Sequence, residues 1–299
     1  MKKIFYKIQY FLLIFASKLL CLFPEKTRFK FGDFLGNLGY RLIKSRRLTA
    51  ITNLQMAFPE KEQKEIEEIA RKSFQIMVKA FLSTLWLKDY LKEPGKVKTV
   101  NRELFVDTYN EGKGVIAALM HMGNMEATLK IAEGYPVVTV AKKQRNPYID
   151  KFITESRKRD LNLTLFSKSK STSKDLIKRL NNKEIFALFS DHRDKGAMVE
   201  FFGMEAKAPT GAVSLALKYD IPILLGYNYF NPDNSSTSVV EKIELVKTGN
   251  FKEDVLTNTQ LLIHQMEEVI RKHPEQWMWF HDRWNLYREL HRDRKKKKR

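Results

Sequence analysis

Cysteine is almost absent from this sequence: Cys21 is the only one in 299 residues. A single cysteine excludes an intrachain disulfide framework, a zinc site with several cysteine ligands and an iron–sulfur cluster held within one chain. We therefore expect the main fold to lie in a reducing compartment.

Acidic residues are scarce relative to basic ones. The chain has 54 Lys and Arg against 35 Asp and Glu, which gives a formal charge of +19. A charge of this size predicts a negatively charged partner, and nucleic acid, anionic lipid and an acidic small substrate all fit that description. Hydrophobic residues make up 43% of the chain, enough to bury a large core, so a disordered or collagen-like protein is excluded.

The sequence also lacks an uninterrupted apolar run long enough for a clean transmembrane helix. Its most apolar segment, Ile4–Phe23, is broken by Lys7, Gln9 and Lys18, whereas a spanning helix needs about 20 predominantly apolar residues. A cleaved secretory signal is disfavoured because apolar residues continue past any small-residue cleavage site. Basic residues on both sides and aromatic residues within the segment favour a helix that enters or crosses a membrane. A buried core helix is the alternative.

The rest of the chain shows two kinds of hydrophobic pattern. From Phe31 to Tyr90 the apolar spacing is helical, and after Pro94 and Gly95 short apolar runs alternate with helical segments. This alternation predicts an α/β domain with a largely parallel sheet flanked by helices. The predicted strands are Gly114–Met120, Tyr135–Ala141, Asn162–Phe166, Glu184–Ser190, Ile221–Phe230 and Ser238–Val246; the predicted helices are Met122–Gly134, Pro147–Arg159, Ser173–Asn181, Thr210–Tyr219 and Lys252–Arg271, with Ser173 and Thr210 as N-caps.

These patterns divide the chain into four parts. We expect a membrane-associated helix over residues 1–23, a helical N-terminal region over 24–95, an α/β domain over 96–284 and a basic C-terminal tail over 285–299. No internal repeat and no linker separates independent domains.

The sharpest candidate site is HMGNME, His121–Glu126, directly after the predicted strand that ends at Met120. Ligands of open α/β sheets gather at the carboxyl ends of strands. A histidine there can take a proton from a hydroxyl near neutral pH, and a carboxylate behind it can fix its tautomer. The two side chains can meet only if His121 lies in a turn, which Gly123 permits, and Glu126 lies in the following helix. A strand-end histidine beside an unrelated solvated glutamate is the alternative.

A second polar cluster, SDHRDKG at Ser190–Gly196, follows another predicted strand. Asp191, His192 and Asp194 suggest a metal site, but Arg193 and Lys195 would compete with a cation. We favour a loop that pairs charges around an anionic substrate, with a solvated polar loop as the alternative.

A third feature is a basic stretch over residues 142–179, with twelve Lys and Arg against four acids. It could bind phosphates, or nucleic acid by counterion release, or be a solvated surface. Because the sequence around it has no helix-turn-helix, zinc-finger or aromatic single-strand pattern, we do not expect nucleic acid to be the partner.

The last feature is PEQWMWFHDRW, Pro274–Trp284, which holds three of the four tryptophans beside His281 and Arg283. Its residues alone are compatible with core packing or with an interfacial aromatic belt.

HMGNME and four further segments, taken in order, resemble the bacterial lipid A biosynthesis acyltransferases. These are the late or secondary (lauroyl/myristoyl) acyltransferases of the lysophospholipid acyltransferase-like superfamily. The resemblance runs from about Arg47 to Trp284 and includes the His-x4-Asp/Glu motif at HMGNME. The other segments are RLTAITNLQMAFPE (Arg47–Glu60), RNPYIDKFITESR (Arg145–Arg157), the block that opens with SDHRDKG, and PEQWMWFHDRW.

The resemblance implies an activity and a set of site residues. It implies acyl transfer from acyl carrier protein or acyl-CoA to a hydroxyl of a membrane lipid, with no metal or other cofactor. His121 and Glu126 would be the catalytic pair, with His121 as base and Glu126 orienting it. Arg157 would contact a phosphate or the developing oxyanion, and Asp191 would hold a basic partner or the acceptor hydroxyl.

We therefore expect a lipid A precursor as acceptor, at the inner (cytoplasmic) membrane and with the active site facing the cytoplasm, where acyl carrier protein is found. A lysophospholipid or aminolipid acyltransferase is the alternative within the same chemistry. A nucleic-acid-binding protein, suggested by the charge of +19, is the alternative of another class.

Overall fold

A computed structural model describes residues 2–167, 179 and 182–286 of the chain. The predicted helix Ser173–Asn181 lies almost wholly outside these residues. The described α-helices are α1 (Lys2–Cys21), α2 (Glu25–Leu42), α3 (Lys44–Ala57), α4 (Gln63–Ser83), α5 (Leu87–Lys92), α6 (Arg102–Asn110), α7 (Pro147–Leu161), α8 (Gly211–Tyr219) and α9 (Phe251–Lys272). The described strands are β1 (Val97–Val100), β2 (Val115–Leu119), β3 (Val137–Ala141), β4 (Leu163–Ser167), β5 (Ile185–Phe189), β6 (Ala197–Phe201), β7 (Met204–Ala208), β8 (Ile223–Phe230) and β9 (Ser236–Lys242).

The N-terminal helix α1 projects its apolar side chains into solvent. It is long and apolar enough to cross a membrane, with a mean hydropathy of 1.5, and none of its residues is buried. The alternative of a buried core helix is therefore wrong. One side of α1 contacts α7, where the ring of Tyr10 lies against those of Tyr148 and Phe152. Just before α7, the side-chain amide of Asn146 donates to the Tyr6 carbonyl at 2.8 Å.

Helices α2 and α4 pack closely because small residues line the contact. Gly32 and Gly36 of α2 are both buried, and a Cβ atom added to Gly36 would lie 2.4 Å from the Cα of Gln75 in α4. Any larger side chain there would push the two helices apart. The buried face of α4, including Ile66, Ala70 and Met77, then contributes to the core.

Seven of the described strands form one sheet in the order β1-β9-β8-β2-β5-β3-β4. Strands β8, β2, β5, β3 and β4 are parallel to one another, whereas β9 pairs antiparallel with β8 and parallel with β1. The α/β class with a largely parallel, helix-flanked sheet is therefore confirmed. The central strands read as continuous apolar runs because helices cover both faces of such a sheet.

Several boundaries differ from the sequence prediction. The segment Met122–Gly134 forms only a 3₁₀ helix, Met125–Lys130, and Thr210 precedes α8 without a side-chain cap bond. The last predicted strand begins two residues earlier and ends at Lys242. The hairpin of β6 and β7 was not predicted, because its short strands carry charged residues on their exposed side and lack a continuous apolar run.

Candidate active site

Strand register brings the first two polar clusters together. Parallel strands β2 and β5 are neighbours in which Leu119 is paired with Phe189, so residues two positions beyond each partner emerge side by side at the carboxyl edge. These residues are His121 and Asp191. The ladder continues just past the strands, where the amide of Ser190 donates to the Leu119 carbonyl at 2.9 Å.

The carboxylate that contacts the His121 imidazole belongs to Asp191. Asp191 Oδ1 lies 2.8 Å from His121 Nδ1, and Oδ2 accepts from the His121 backbone amide at 2.7 Å and from Trp277 Nε1 at 2.8 Å. Asp191 is only 2% exposed, so each of these bonds is shielded from water. Glu126 was expected in this orienting position, and the structure gives the position to Asp191.

The same contact determines the ionisation of both groups. Burial by itself raises the pKa of Asp191, but the charge of His121 and hydrogen bonds from His121 and Trp277 outweigh it and leave the pKa below its ordinary value. Burial lowers the pKa of His121, and the Asp191 charge and hydrogen bond more than offset this, so the pKa is raised above 6.5. Because an ionised carboxylate only accepts hydrogen bonds, Nδ1 carries the bonded proton and Nε2 is the basic ring nitrogen.

A tight turn after His121 depends on glycine. Gly123 has a φ of +52°, and an added Cβ would lie 2.3 Å from the Asn228 carbonyl oxygen in β8. The close approach lets the Asn124 amide donate to the Asn228 side chain at 2.9 Å. The chain therefore turns sharply from the end of β2 into the 3₁₀ helix that carries Glu126, as the sequence predicted for Gly123.

Glu126 binds Arg157. Its Oε2 accepts from Arg157 Nε at 3.2 Å, and its Oε1 pairs with Arg157 Nη2, so the contact is a two-point ion pair. Both side chains are about one-fifth exposed. Arg157 is placed by α7, whose first turn is capped by the Asn146 side chain accepting from the Tyr148 amide at 3.0 Å.

The C-terminal aromatic segment forms the back of the site. Trp277, Trp279 and Trp284 are buried, so this segment belongs to the core and is not an interfacial belt. Its backbone runs beside residues 121–123, with the Met278 amide donating to the His121 carbonyl at 3.2 Å. The wholly buried Arg283 donates from Nε to the Asp191 carbonyl at 2.8 Å, which anchors the loop that bears the carboxylate.

A cleft of about 800 Å³ opens at this edge of the sheet. His121, Glu126 and Arg157 lie on its wall, and much of the remaining lining is apolar, including Leu163 and Phe166. A smaller cavity of about 50 Å³ adjoins it, shares Leu119, Leu129 and Ala187 with it, and is lined almost entirely by apolar side chains. The cleft therefore combines a basic imidazole with space for a hydrocarbon chain.

Two further histidines in the cleft were not among the predicted site residues, and His192 was considered only as a ligand of the disfavoured metal site. His192 and His281 line it, and burial lowers the pKa of each, which favours the neutral imidazole. Both fall inside segments that the sequence singled out, but their position beside His121 depends on how the loops fold. Within residues 2–167, 179 and 182–286, no group of three or more His, Cys, Asp or Glu side chains is close enough to hold a metal ion.

The structure thus gathers all four predicted site residues at one edge of the sheet, in two pairs. His121 is paired with Asp191, and Glu126 with Arg157. Sequence reasoning missed the contributions of Trp277 and Arg283, although both lie in the aromatic segment that it set apart.

An α/β fold with a strand-end imidazole beside a largely apolar cleft is suited to an acyltransferase, and comparison with known sequences agrees. Residues 1–286 match the bacterial lipid A biosynthesis acyltransferase family, so the chain belongs to that family and is an acyltransferase of lipid A biosynthesis. The family resemblance seen in the sequence motifs is confirmed.

Two curated relatives are similar over most of their length. The lipid A biosynthesis lauroyltransferase of Escherichia coli K12 is 24% identical over 271 residues, which cover 87% of this chain and 86% of the relative. A lipid A biosynthesis acyltransferase of Haemophilus influenzae Rd is 22% identical over 275 residues, covering 89% of this chain and 84% of the relative.

Proposed function

We propose that this protein transfers a fatty acyl chain from acyl carrier protein, or from acyl-CoA, to a hydroxyl of a lipid A precursor at the cytoplasmic face of the inner membrane. The observation that carries the proposal is the hydrogen bond between His121 Nδ1 and the buried Asp191 carboxylate, beside an apolar cleft. Family membership supports the lipid A precursor as acceptor.

In the proposed reaction His121 is the general base. Its Nε2 takes the proton of the acceptor hydroxyl while the hydroxyl oxygen attacks the carbonyl carbon of the acyl thioester. The carbon–sulfur bond then breaks, and the leaving thiolate receives the proton from the imidazolium. The products are an acyl ester and a free thiol. Asp191 holds the imidazole in the reactive tautomer and stabilises its charged form.

Glu126 and Arg157 act together in this proposal. Arg157 uses the N–H of Nε and one N–H of Nη2 to bind Glu126, which leaves the second N–H of Nη2 and both N–H groups of Nη1 as donors to a phosphate or to the developing oxyanion. Glu126 then contributes to catalysis by fixing this guanidinium at the cleft. The apolar lining, including Leu163, Leu165 and Phe166, accommodates the acyl chain.

The test is an assay of the purified full-length protein with a lipid A precursor and, in separate reactions, acyl carrier protein and coenzyme A thioesters. Mass spectrometry should show one added acyl chain. His121→Ala should lower the rate by about 10²–10⁴-fold, as expected for a lost general base. His264→Ala is the control, because His264 is a mostly exposed histidine on α9, away from the cleft.

The outcomes separate the possibilities. A product formed only from a lysophospholipid or an aminolipid would assign the acceptor to that alternative class. Unchanged lipids together with tight, salt-sensitive nucleic-acid binding would contradict the proposal altogether. A folded His121→Ala protein with the wild-type rate would refute the role of His121.

The proposed location at the membrane is tested by truncating the same protein. Deleting residues 1–23 should release much of it from membranes and should lower activity on membrane-embedded acceptor more than on detergent-dispersed acceptor. A truncated protein that stays bound and equally active on both would contradict the anchoring role of α1.

A further inference from the structure

The second helix, α2, has an apolar stripe that the fold leaves uncovered. Phe31, Phe34, Leu38 and Leu42 are between 39% and 71% exposed. They recur at intervals of three and four residues, so they lie along one face of the helix. Scattered exposed apolar side chains are ordinary, but a continuous row of large ones marks an interaction surface.

The opposite face of α2 is already used. Gly32 and Gly36 pack against α4. At about 100° per residue, Phe34 lies about 200° round the helix from Gly32, and Leu38 lies about 200° from Gly36. Rotating α2 to bury the stripe would therefore remove the glycine contact, and the stripe can be covered only from outside the described core.

The charges on α2 indicate what covers the stripe. Its two acidic residues are both paired with lysines outside α2: Glu25 with Lys96, and Asp33 with Lys79 at 3.4 Å. The exposed cations Lys30 and Arg41 lie near the two ends of the stripe, on the same outward side. An apolar row bounded by cations is typical of a helix that lies in the interface of an anionic bilayer.

The position of α2 in the chain leads to the same partner. Its stripe begins ten residues after Cys21, the last residue of α1, and α1 and α2 are in contact. α1 is itself apolar, unburied and long enough to cross a membrane. The residues that the structure does not describe, 1, 168–178, 180–181 and 287–299, are rich in Lys, Arg and Ser, and their sequence has no apolar run longer than two residues to complement the stripe.

We propose that α2 is a second membrane-contacting element, which lies along the bilayer surface with Phe31, Phe34, Leu38 and Leu42 among the acyl chains and Lys30 and Arg41 at the anionic headgroups. The membrane then holds the protein at two elements, one entering the bilayer and one lying on it, so that the orientation of the α/β domain relative to the surface is defined. This inference rests on the proposed membrane location of α1, but not on the proposed reaction.

The experiment measures the depth of individual side chains in the full-length protein. Cys21 is exposed and is replaced with serine, after which Phe34→Cys and Leu38→Cys variants each carry one nitroxide spin label. The matched controls are Phe251→Cys and Leu261→Cys on α9, at positions with similar exposure of 50% and 42%. Each protein is reconstituted into vesicles of phosphatidylethanolamine and phosphatidylglycerol.

For each nitroxide label, the rate of collision with oxygen, which concentrates in lipid, is compared with the rate of collision with a nickel chelate, which stays in water. Labels at 34 and 38 should favour oxygen, and labels at 251 and 261 should favour the nickel chelate. A further Lys30→Glu change should lower the oxygen preference at position 34 in these anionic vesicles and have little effect in vesicles of neutral lipid.

Two results would overturn the proposal. Labels at 34 and 38 that are as open to the nickel chelate as the α9 controls would show that the stripe faces water. Labels shielded from both reagents, with broadening from a nearby second label, would show that a second copy of the chain covers it. Because the assay requires no catalysis, failure of the acyl-transfer proposal would leave its outcome unchanged.

Discussion

Replacing Asp191 with asparagine tests the central contact of the site. The carboxylate accepts from the His121 amide and Trp277 Nε1 through one oxygen and faces His121 Nδ1 with the other. An amide can keep the first two bonds only by turning its NH₂ group toward Nδ1. Nδ1 must then accept a hydrogen bond, so the ring proton moves to Nε2 and the basic lone pair is lost.

The expected loss in kcat is about 10²–10⁴-fold, the range for general-base catalysis, with a smaller change in KM. The residual activity should also show a shifted pH dependence. The wild-type rate requires neutral His121 and therefore rises with pH through a pKa above 6.5, because Asp191 raises that pKa. Without the negative charge, burial is the remaining influence and it lowers the pKa, so the acidic limb should move to lower pH.

The assay is a pH series of kcat for the wild type, Asp191→Asn and Asp194→Asn. Asp194 is the matched control, since it lies three residues further along the same loop and is partly exposed beside His192. Wild-type turnover in Asp191→Asn, or a limb that moves to higher pH, would refute this account of the site. An equal loss in Asp194→Asn would show that loop structure, and not the contact to His121, is responsible.

Three further changes test the parts around this contact. Arg157→Lys should raise KM for a phosphorylated acceptor or lower kcat, because an ammonium cannot reproduce the two-point ion pair; unchanged kinetics would remove the guanidinium from the site. Gly123→Ala should lower the free energy of unfolding by more than Gly134→Ala, since both have positive φ but only at Gly123 would the Cβ meet backbone, at 2.3 Å; equal losses in urea titrations would contradict this. Trp277→Phe should cost about 1.5–3 kcal/mol of unfolding free energy through a hydrogen bond to a charged group, against about 0.5–1.5 kcal/mol for Trp279→Phe, whose bond goes to a neutral carbonyl; the reverse order would be inconsistent with an ionised partner.

The sequence by itself determined the class of the fold and the location of its site segments. Apolar runs such as Glu184–Ser190 predicted central strands to within a residue or two. A strand that is covered on both faces buries every side chain, so its sequence is continuously apolar. HMGNME and SDHRDKG could be placed at strand ends for the same reason.

Hydrophobic pattern was a weaker guide where local structure is short or irregular. The 3₁₀ helix Met125–Lys130 and the β6–β7 hairpin pack against neighbouring elements. The spacing of their own apolar residues is too short a pattern to predict them. The N-terminal segment shows a related difficulty, since an apolar helix of this length suits a core or a membrane equally well, and only its unburied position in the fold separates the two.

The pairing of the charged groups was decided by tertiary structure alone. His121 and Glu126 are close in the sequence, and the family resemblance, rather than their spacing, implied that they act as a pair. Parallel register between β2 and β5 instead brings in Asp191 from 70 residues away, and α7 brings Arg157 to Glu126. Hydrogen bonds act over about 3 Å, so they depend on where strands and helices end in space, which spacing along the chain does not determine.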